Sequence, residues 1–349
     1  MKFPRTLISK TISLMSKAFI ATGCLALTVL PGNCGNQDSI TGPSQPESGP
    51  GGSAYPHRSV DERSYGEGDL QYWLLEPADP KPQSAPVVIF NHGWGAMSPH
   101  SYRAWLFHIA RRGNIVIYPR YQGSLRTSPT DMSSNAIAAT KTALKQLQNE
   151  EGHVRPQLDK VSVLGHSAGG NIAAGMAARA ASSGLPVMRA VMCVEPGKSW
   201  GPKPIPLDEI SAMPSSTLLL TVVGDRDNVV KDIDAKRIIN ESVHVPAENK
   251  NFVRMISDEY GNPALIANHF SPVASAGAYM ATRGSAGGRN ANALDYFGTW
   301  KLFDALEDAA IFGKNRDYAL GNTPHQKYMG KWSDGVPIKE LEVHIGSGM

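Results

Sequence analysis

The chain has 349 residues, 41% of them apolar, which is long enough to bury a large core and to hold one α/β domain with appendages. Its formal charge of +3 is local: Lys2, Arg5, Lys10 and Lys17 all precede the first acidic residue, Asp38, so the chain beyond residue 34 stands at −1. That distribution argues against a nucleic-acid partner. A lone cysteine beyond residue 34, Cys193, excludes an internal disulfide in the folded part.

The first 34 residues read as an export signal. Basic residues lead into an apolar run over 18–30, which Pro31-Gly32 then breaks. That run is shorter than the about 20 residues a membrane-spanning helix needs. Cys24 and Cys34 fall within it or just after it. A lipid on either would anchor the N-terminus in a membrane, whereas plain secretion needs neither. Residues 35–56 are dominated by Gly, Ser, Pro and Gln, and are expected to form a flexible tether. Residues 57–349 are left as the catalytic domain.

From residue 57 strand-like and helix-like segments alternate, the pattern of an α/β fold with a mostly parallel sheet and helices on both faces. Strands are expected at 70–76, 86–90, 114–118, 161–164, 190–194, 217–223 and 252–256. Helices are expected at 102–112, 134–150, 171–181, 232–242 and 293–312. The last carries Leu, Phe, Trp and Ala at helical spacing and reads as a core-packing helix.

The segment 161–171, VSVLGHSAGGN, concentrates the chemistry. A β-branched run ends in Gly165-His166-Ser167-Ala168-Gly169 and passes into an Ala-rich helix, the strand–turn–helix context of a nucleophile elbow. Small residues let the backbone turn sharply and expose the Ser167 hydroxyl, while the helix N-terminus favours developing negative charge. A serine needs a histidine to take its proton and a carboxylate to orient that histidine, here in the chain order Ser, acid, His.

Beyond the strand at 217–223, Asp225 and Asp227 compete for the acid. Asp227 is favoured, three residues past Gly224 and followed by the apolar Val229-Val230. Asp225 suits a turn-capping role. A calcium-loop reading fails because the spaced ligands of an EF-hand are absent. Of the histidines after Asp227, only His269 follows the last expected strand before the C-terminal helix; His244, His325 and His344 are misplaced. An oxyanion hole needs two backbone amides. Ala168 supplies one, and Trp94, in Asn91-His92-Gly93-Trp94-Gly95 after an early strand, supplies the other. His92 and His166 are read as supports of these turns.

His92-Gly93-Trp94-Gly95, Gly165-His166-Ser167-Ala168-Gly169, Gly224-x-x-Asp227 and the later His269 together resemble the α/β-hydrolase superfamily. The stretch 84–270 is similar to its dienelactone-hydrolase, chlorophyllase and polyester-hydrolase group. The oxyanion loop is His-Gly-Trp rather than triple-Gly, and the nucleophile is serine rather than the cysteine of dienelactone hydrolase. The Pro-rich connection 197–213, carrying Trp200, and the tail after Gly313 match nothing specific. The connection is expected to wall the pocket, with Trp94 and Trp200 as substrate-binding candidates.

The reading is an exported serine hydrolase of carboxylic esters, small or polymeric. Ser167 is the nucleophile, His269 the base and Asp227 the acid, and no metal or organic cofactor is implied. A peptidase or acyltransferase on the same fold remains open. So does a secreted binding protein that has lost turnover, although no triad member is missing.

Overall fold

The computed structural model describes residues 39–201, 203–207, 209–274 and 290–348. The expected export signal at 1–34 lies outside them. Nine strands form one sheet: β1 (Ser59–Tyr65), β2 (Tyr72–Ala78), β3 (Ser84–Asn91), β4 (Ile115–Pro119), β5 (Arg155–His166), β6 (Met188–Val194), β7 (Leu218–Gly224), β8 (Lys250–Met255) and β9 (Glu342–Ile345). Their spatial order is β1-β2-β4-β3-β5-β6-β7-β8-β9. From β4 through β8 neighbours are parallel; β1, β2 and β9 join antiparallel at the two sides. The helices that cover it include α1 (Arg103–Arg111), α2 (Pro129–Asn149), α3 (Ala168–Ala178), the short α4 (Ala180–Ser183), α5 (Ile233–Glu241) and α6 (Trp300–Glu307).

β3 shows why the central strands read as unbroken apolar runs. Val87 and Ile89 face a core shared with Met132 and Ala136 of α2, Ile172 of α3 and Ile238 of α5. Val88 and Phe90 face the opposite core, with Trp105 and Leu106 of α1 and Phe303 of α6. A parallel strand covered on both faces has no solvent side to mark with polar residues. The seven expected strands are all present, shifted by a few residues. Edge strands β1 and β9 were not expected: SVDERSY and EVHI are short or charged, as edges that resist pairing with other chains tend to be. The expected helix at 293–312 is broken, since α6 is flanked by π-helical turns, Leu294–Thr299 and Asp308–Phe312, with Gly298 off helical geometry.

The expected flexible tether needs correction over residues 39–56, which lie along the domain. Ile40 and Thr41 carbonyls accept from Asn262 and Ser333 amides, and Gly51 N–H donates to Asp304 Oδ2 at 2.7 Å. Tyr55 Oη meets Nδ1 of the buried His108 at 2.8 Å, and His108 Nε2 meets the same Asp304 oxygen. Apolar content is low here because backbone groups and a buried ionic cluster do the holding. A Cβ on Gly51 would stand 2.0 Å from the Tyr296 carbonyl, so only glycine lets this turn approach so closely.

The connection after β6 also departs from expectation. Ile205, Leu207, Ile210 and Met213 are buried in the α2/α3/α5 core, and Asp234 of α5 accepts from Ser199 N–H and from Asn171 Nδ2 of α3. No described helix is long and apolar enough to cross a membrane.

Candidate active site

The carboxyl ends of β3, β5, β6, β7 and β8 converge on one point, where loops of an open α/β sheet gather functional groups. At the end of β5, Ser167 takes φ +56° and ψ −123°, a strained conformation for a non-glycine residue. Three hydrogen bonds hold it: its N–H donates to Val194 O at 2.9 Å, and its carbonyl accepts from Gly170 and Gly197 amides. The flanking glycines are obligatory. A Cβ on Gly165 would lie 1.9 Å from Gly169 O, and one on Gly169 would lie 2.1 Å from Asn91 O.

His269 stands in the loop after β8 with Nε2 2.9 Å from Ser167 Oγ and Nδ1 2.9 Å from Asp227 Oδ2. Asp227 follows β7, and its Oδ1 accepts from the Val229 and Val230 amides at 2.8 and 3.0 Å. Burial opposes its charge, but the His269 hydrogen bond and these amides outweigh burial and hold its pKa at about 2. Burial likewise disfavours the imidazolium of His269, yet the adjacent carboxyls raise its pKa above the ordinary value. Asp225 is exposed and turned away. It accepts from the Ser257 hydroxyl at 2.5 Å, and the same Ser257 oxygen accepts from Ala267 N–H in the base loop. The turn-capping role expected for it is therefore a side-chain contact to the loop after β8.

Sequence reasoning missed Glu195, the first residue after β6, at φ +47° with no exposure. Its Oε2 lies 3.3 Å from His269 Nδ1, but that nitrogen's proton points to Asp227, which leaves Oε2 without a hydrogen bond among the described residues. Burial first, then the charge of Asp227, pushes its pKa up to about 8, which favours the neutral carboxyl at pH 7. An acidic residue at the carboxyl end of a buried parallel strand was the available signal. His166, Glu195 and His269 bring possible ligand atoms within 4.8 Å of one another. Both ring nitrogens of His166 are already hydrogen-bonded, which argues against their serving as a metal site.

The turn after β3 completes the site. Gly93 N–H donates to Tyr102 Oη and Gly95 N–H to Gln122 Oε1, so the amide between them, Trp94, stands out. Among the described residues nothing accepts from the Trp94 or Ala168 amides. Ala168 is the residue after Ser167, and Trp94 borders an open cleft of about 370 Å³, lined also by Ala96, Ser167, His269, Phe270 and Val273 among others. The Trp94 and Phe270 rings are 40% and 50% exposed at its rim, an apolar wall around a polar floor.

A model of the Chlorophyllase family, a family of α/β-hydrolase-fold serine esterases, matches residues 75–208, from β2 through the oxyanion turn and elbow to the connection after β6. The chain carries the α/β-hydrolase fold. The match supports a serine esterase or hydrolase in general, and it covers Trp94, Ser167, Ala168 and Glu195 but neither Asp227 nor His269. No curated protein matches the chain.

The other candidate residues fall elsewhere in the structure. Trp200 does not line the cleft; its ring packs under Lys198 Nζ at 5.1 Å, and Ser199, Ile205, Leu207, Ile210 and Met213 of the same connection lie against α3 and α5 instead of walling the site. His244 is exposed ahead of β8, His325 pairs with Asp317, and His344 lies on β9. His92 stacks on Tyr121 with ring centres 4.1 Å apart, under the oxyanion turn.

Proposed function

We propose that the chain is an exported serine hydrolase that cleaves carboxylic esters through an acyl-enzyme. The observation that carries this reading is the unbroken line Ser167 Oγ–His269 Nε2 and His269 Nδ1–Asp227 Oδ2, each link 2.9 Å, opening into a cleft beside two uncommitted amides. Ser167 Oγ bonds to the ester carbonyl carbon as its proton passes to His269 Nε2. The carbonyl electron pair moves onto oxygen, which the Trp94 and Ala168 N–H groups hold. Collapse expels the alcohol, which takes the proton from His269. A water then repeats the sequence, releasing the acid and restoring Ser167. Asp227, ionised throughout, keeps the Nδ1–H tautomer and offsets the imidazolium charge.

The apolar rim of Trp94, Val229 and Phe270 favours esters with an apolar acyl or alcohol part. Reaction of Ser167 with a fluorophosphonate, lost in Ser167→Ala, tests the nucleophile. Rates on esters of graded acyl length, an insoluble polyester and an anilide then define the bond cleaved. Intact protein that stays unlabelled while a control hydrolase reacts would favour a binding role. Export belongs to the same proposal, and intact mass of natively expressed protein checks it: retention of Met1 on most molecules would refute it, and added acyl mass on Cys24 or Cys34 would select the lipid-anchored form.

A further inference from the structure

A chain of hydrogen bonds that the triad does not use joins the oxyanion turn to the base loop. Gly93 N–H donates to Tyr102 Oη at 2.9 Å, Tyr102 Oη meets His166 Nδ1 at 2.7 Å, and His166 Nε2 meets the carbonyl oxygen of His269 at 2.8 Å. All four residues are buried. The direction of each link is fixed. A carbonyl oxygen can only accept, so Nε2 of His166 carries a hydrogen. Burial drives the His166 pKa down to about 3, so the ring is neutral and its Nδ1 is bare. The Tyr102 hydroxyl must therefore donate to Nδ1, which leaves its lone pairs for the Gly93 amide. Burial raises the Tyr102 pKa well above the phenol range, so that proton stays in place.

We propose that Tyr102 and His166 are positioning residues that lock the oxyanion turn to the base loop, fixing the Trp94 amide and His269 on opposite sides of Ser167. The inference rests on the triad and oxyanion assignments proposed above. Trp94 is the residue next to the tethered Gly93, and His269 is held by its own carbonyl, so each reacting group belongs to a residue of the relay or to its immediate neighbour. The fit has no slack. A Cβ on Gly93 would come within 3.1 Å of His166 Nδ1 and of Tyr102 Oη, and 3.3 Å of Ser167 Cβ. Oxyanion donors act only when held within about 0.5 Å of the productive position, which is what such a lock supplies.

Tyr102→Phe keeps the ring against Phe90 and deletes both hydroxyl hydrogen bonds. The expected result is kcat lower by roughly 10- to 100-fold with KM within about threefold, because the lost interaction belongs to the transition state. The rate ratio between an ester and its thionoester, whose sulfur accepts amide hydrogen bonds poorly, should fall as well. His166→Ala should behave alike, and the double variant should be no slower than the slower single one. Folded Tyr102→Phe with wild-type kcat and an unchanged ratio, or additive losses in the double variant, overturns the relay. Ser167→Ala separates the two readings: if it retains turnover, the triad assignment fails; if it is inactive while Tyr102→Phe is unaffected, the relay alone fails. Should Tyr102→Phe not fold, ¹⁵N NMR of the histidine-labelled native protein decides. Protonated Nε2 and bare Nδ1 on His166 from pH 5 to 9 support the relay; the opposite tautomer, or titration in that range, overturns it.

Discussion

Oε2 of Glu195 lies 3.3 Å from Nδ1 of His269, the nitrogen that Asp227 Oδ2 meets at 2.9 Å. Two carboxyls thus face one imidazole nitrogen, and they cannot both be charged cheaply. Asp227 has the backbone amides and takes the charge, whereas Glu195 stays protonated, with a pKa of about 8. When Glu195 ionises just above neutral pH, it adds negative charge beside His269 and holds the imidazolium to higher pH. Glu195→Gln removes that charge, so the rising limb of kcat/KM should move to lower pH. A pH–rate profile of both proteins measures it, and a limb that stays or moves upward would contradict the coupling.

The acid assignment is tested by ranking two neighbouring aspartates. Asp227→Asn removes the acceptor that sets the His269 tautomer and should cut turnover by up to ~10⁴-fold. Asp225→Asn keeps an oxygen for the Ser257 hydroxyl, so turnover should stay within a few-fold and stability should fall by about 1 kcal/mol or less. Steady-state rates and thermal melts on folded variants settle the order. Greater loss in Asp225→Asn would move the acid role to it.

Burial of a second carboxyl bears on stability. Glu307 is enclosed beside Asp304, and burial first, then that neighbouring charge, raises its pKa to about 8. A carboxyl with a raised folded pKa binds more protons folded than unfolded, so its contribution is complete below about pH 4.5 and drains away as pH rises toward 8. Glu307→Gln can still accept from Asn114 Nδ2 and has nothing to ionise. Its stability relative to the parent should therefore improve between pH 5 and pH 8, by on the order of 3 kcal/mol. Denaturant unfolding at the two pH values checks this, and a constant difference would mean that Glu307 ionises freely.

What was legible in the sequence was whatever local spacing controls. The buried parallel strands announce themselves as β-branched runs, and the elbow as small residues around Ser167 between a strand and a helix. The order of Asp227 and His269 along the chain gave their places because the topology winds in one direction. What was hidden depends on contacts between distant segments. Glu195 looks like an ordinary loop acid until β6 is seen to end against β7 and the base loop. Residues 39–56 have a disordered composition, yet Asp304 on α6 and His108 on α1 supply partners some 50 to 250 residues away. Trp200 sits on a long Pro-rich connection that could have walled the pocket, but that connection's apolar residues, Ile205 and Leu207, are buried in the core shared by α2, α3 and α5.

Two glycines around the nucleophile should respond oppositely to the same change. Gly165 lies one residue before the end of β5, under the elbow, where a Cβ would stand 1.9 Å from Gly169 O and 2.3 Å from its carbonyl carbon. Both are backbone atoms of the turn that carries Ser167, so neither can swing aside. Gly175 lies within α3, where a Cβ would first meet the Arg179 side chain at 3.5 Å, an ordinary contact with a flexible end. Gly175→Ala should then stabilise the protein by about 0.5–1 kcal/mol, since alanine loses less backbone freedom in a helix. Gly165→Ala should cost about 3 kcal/mol or more and, in any molecules that still fold, should displace Ser167 and lower fluorophosphonate labelling. Melting temperatures and labelling rates of the two variants measure both effects. A Gly165→Ala protein with parental stability and labelling would mean that the elbow has room the close contacts deny, and the strained Ser167 turn would lose its steric explanation.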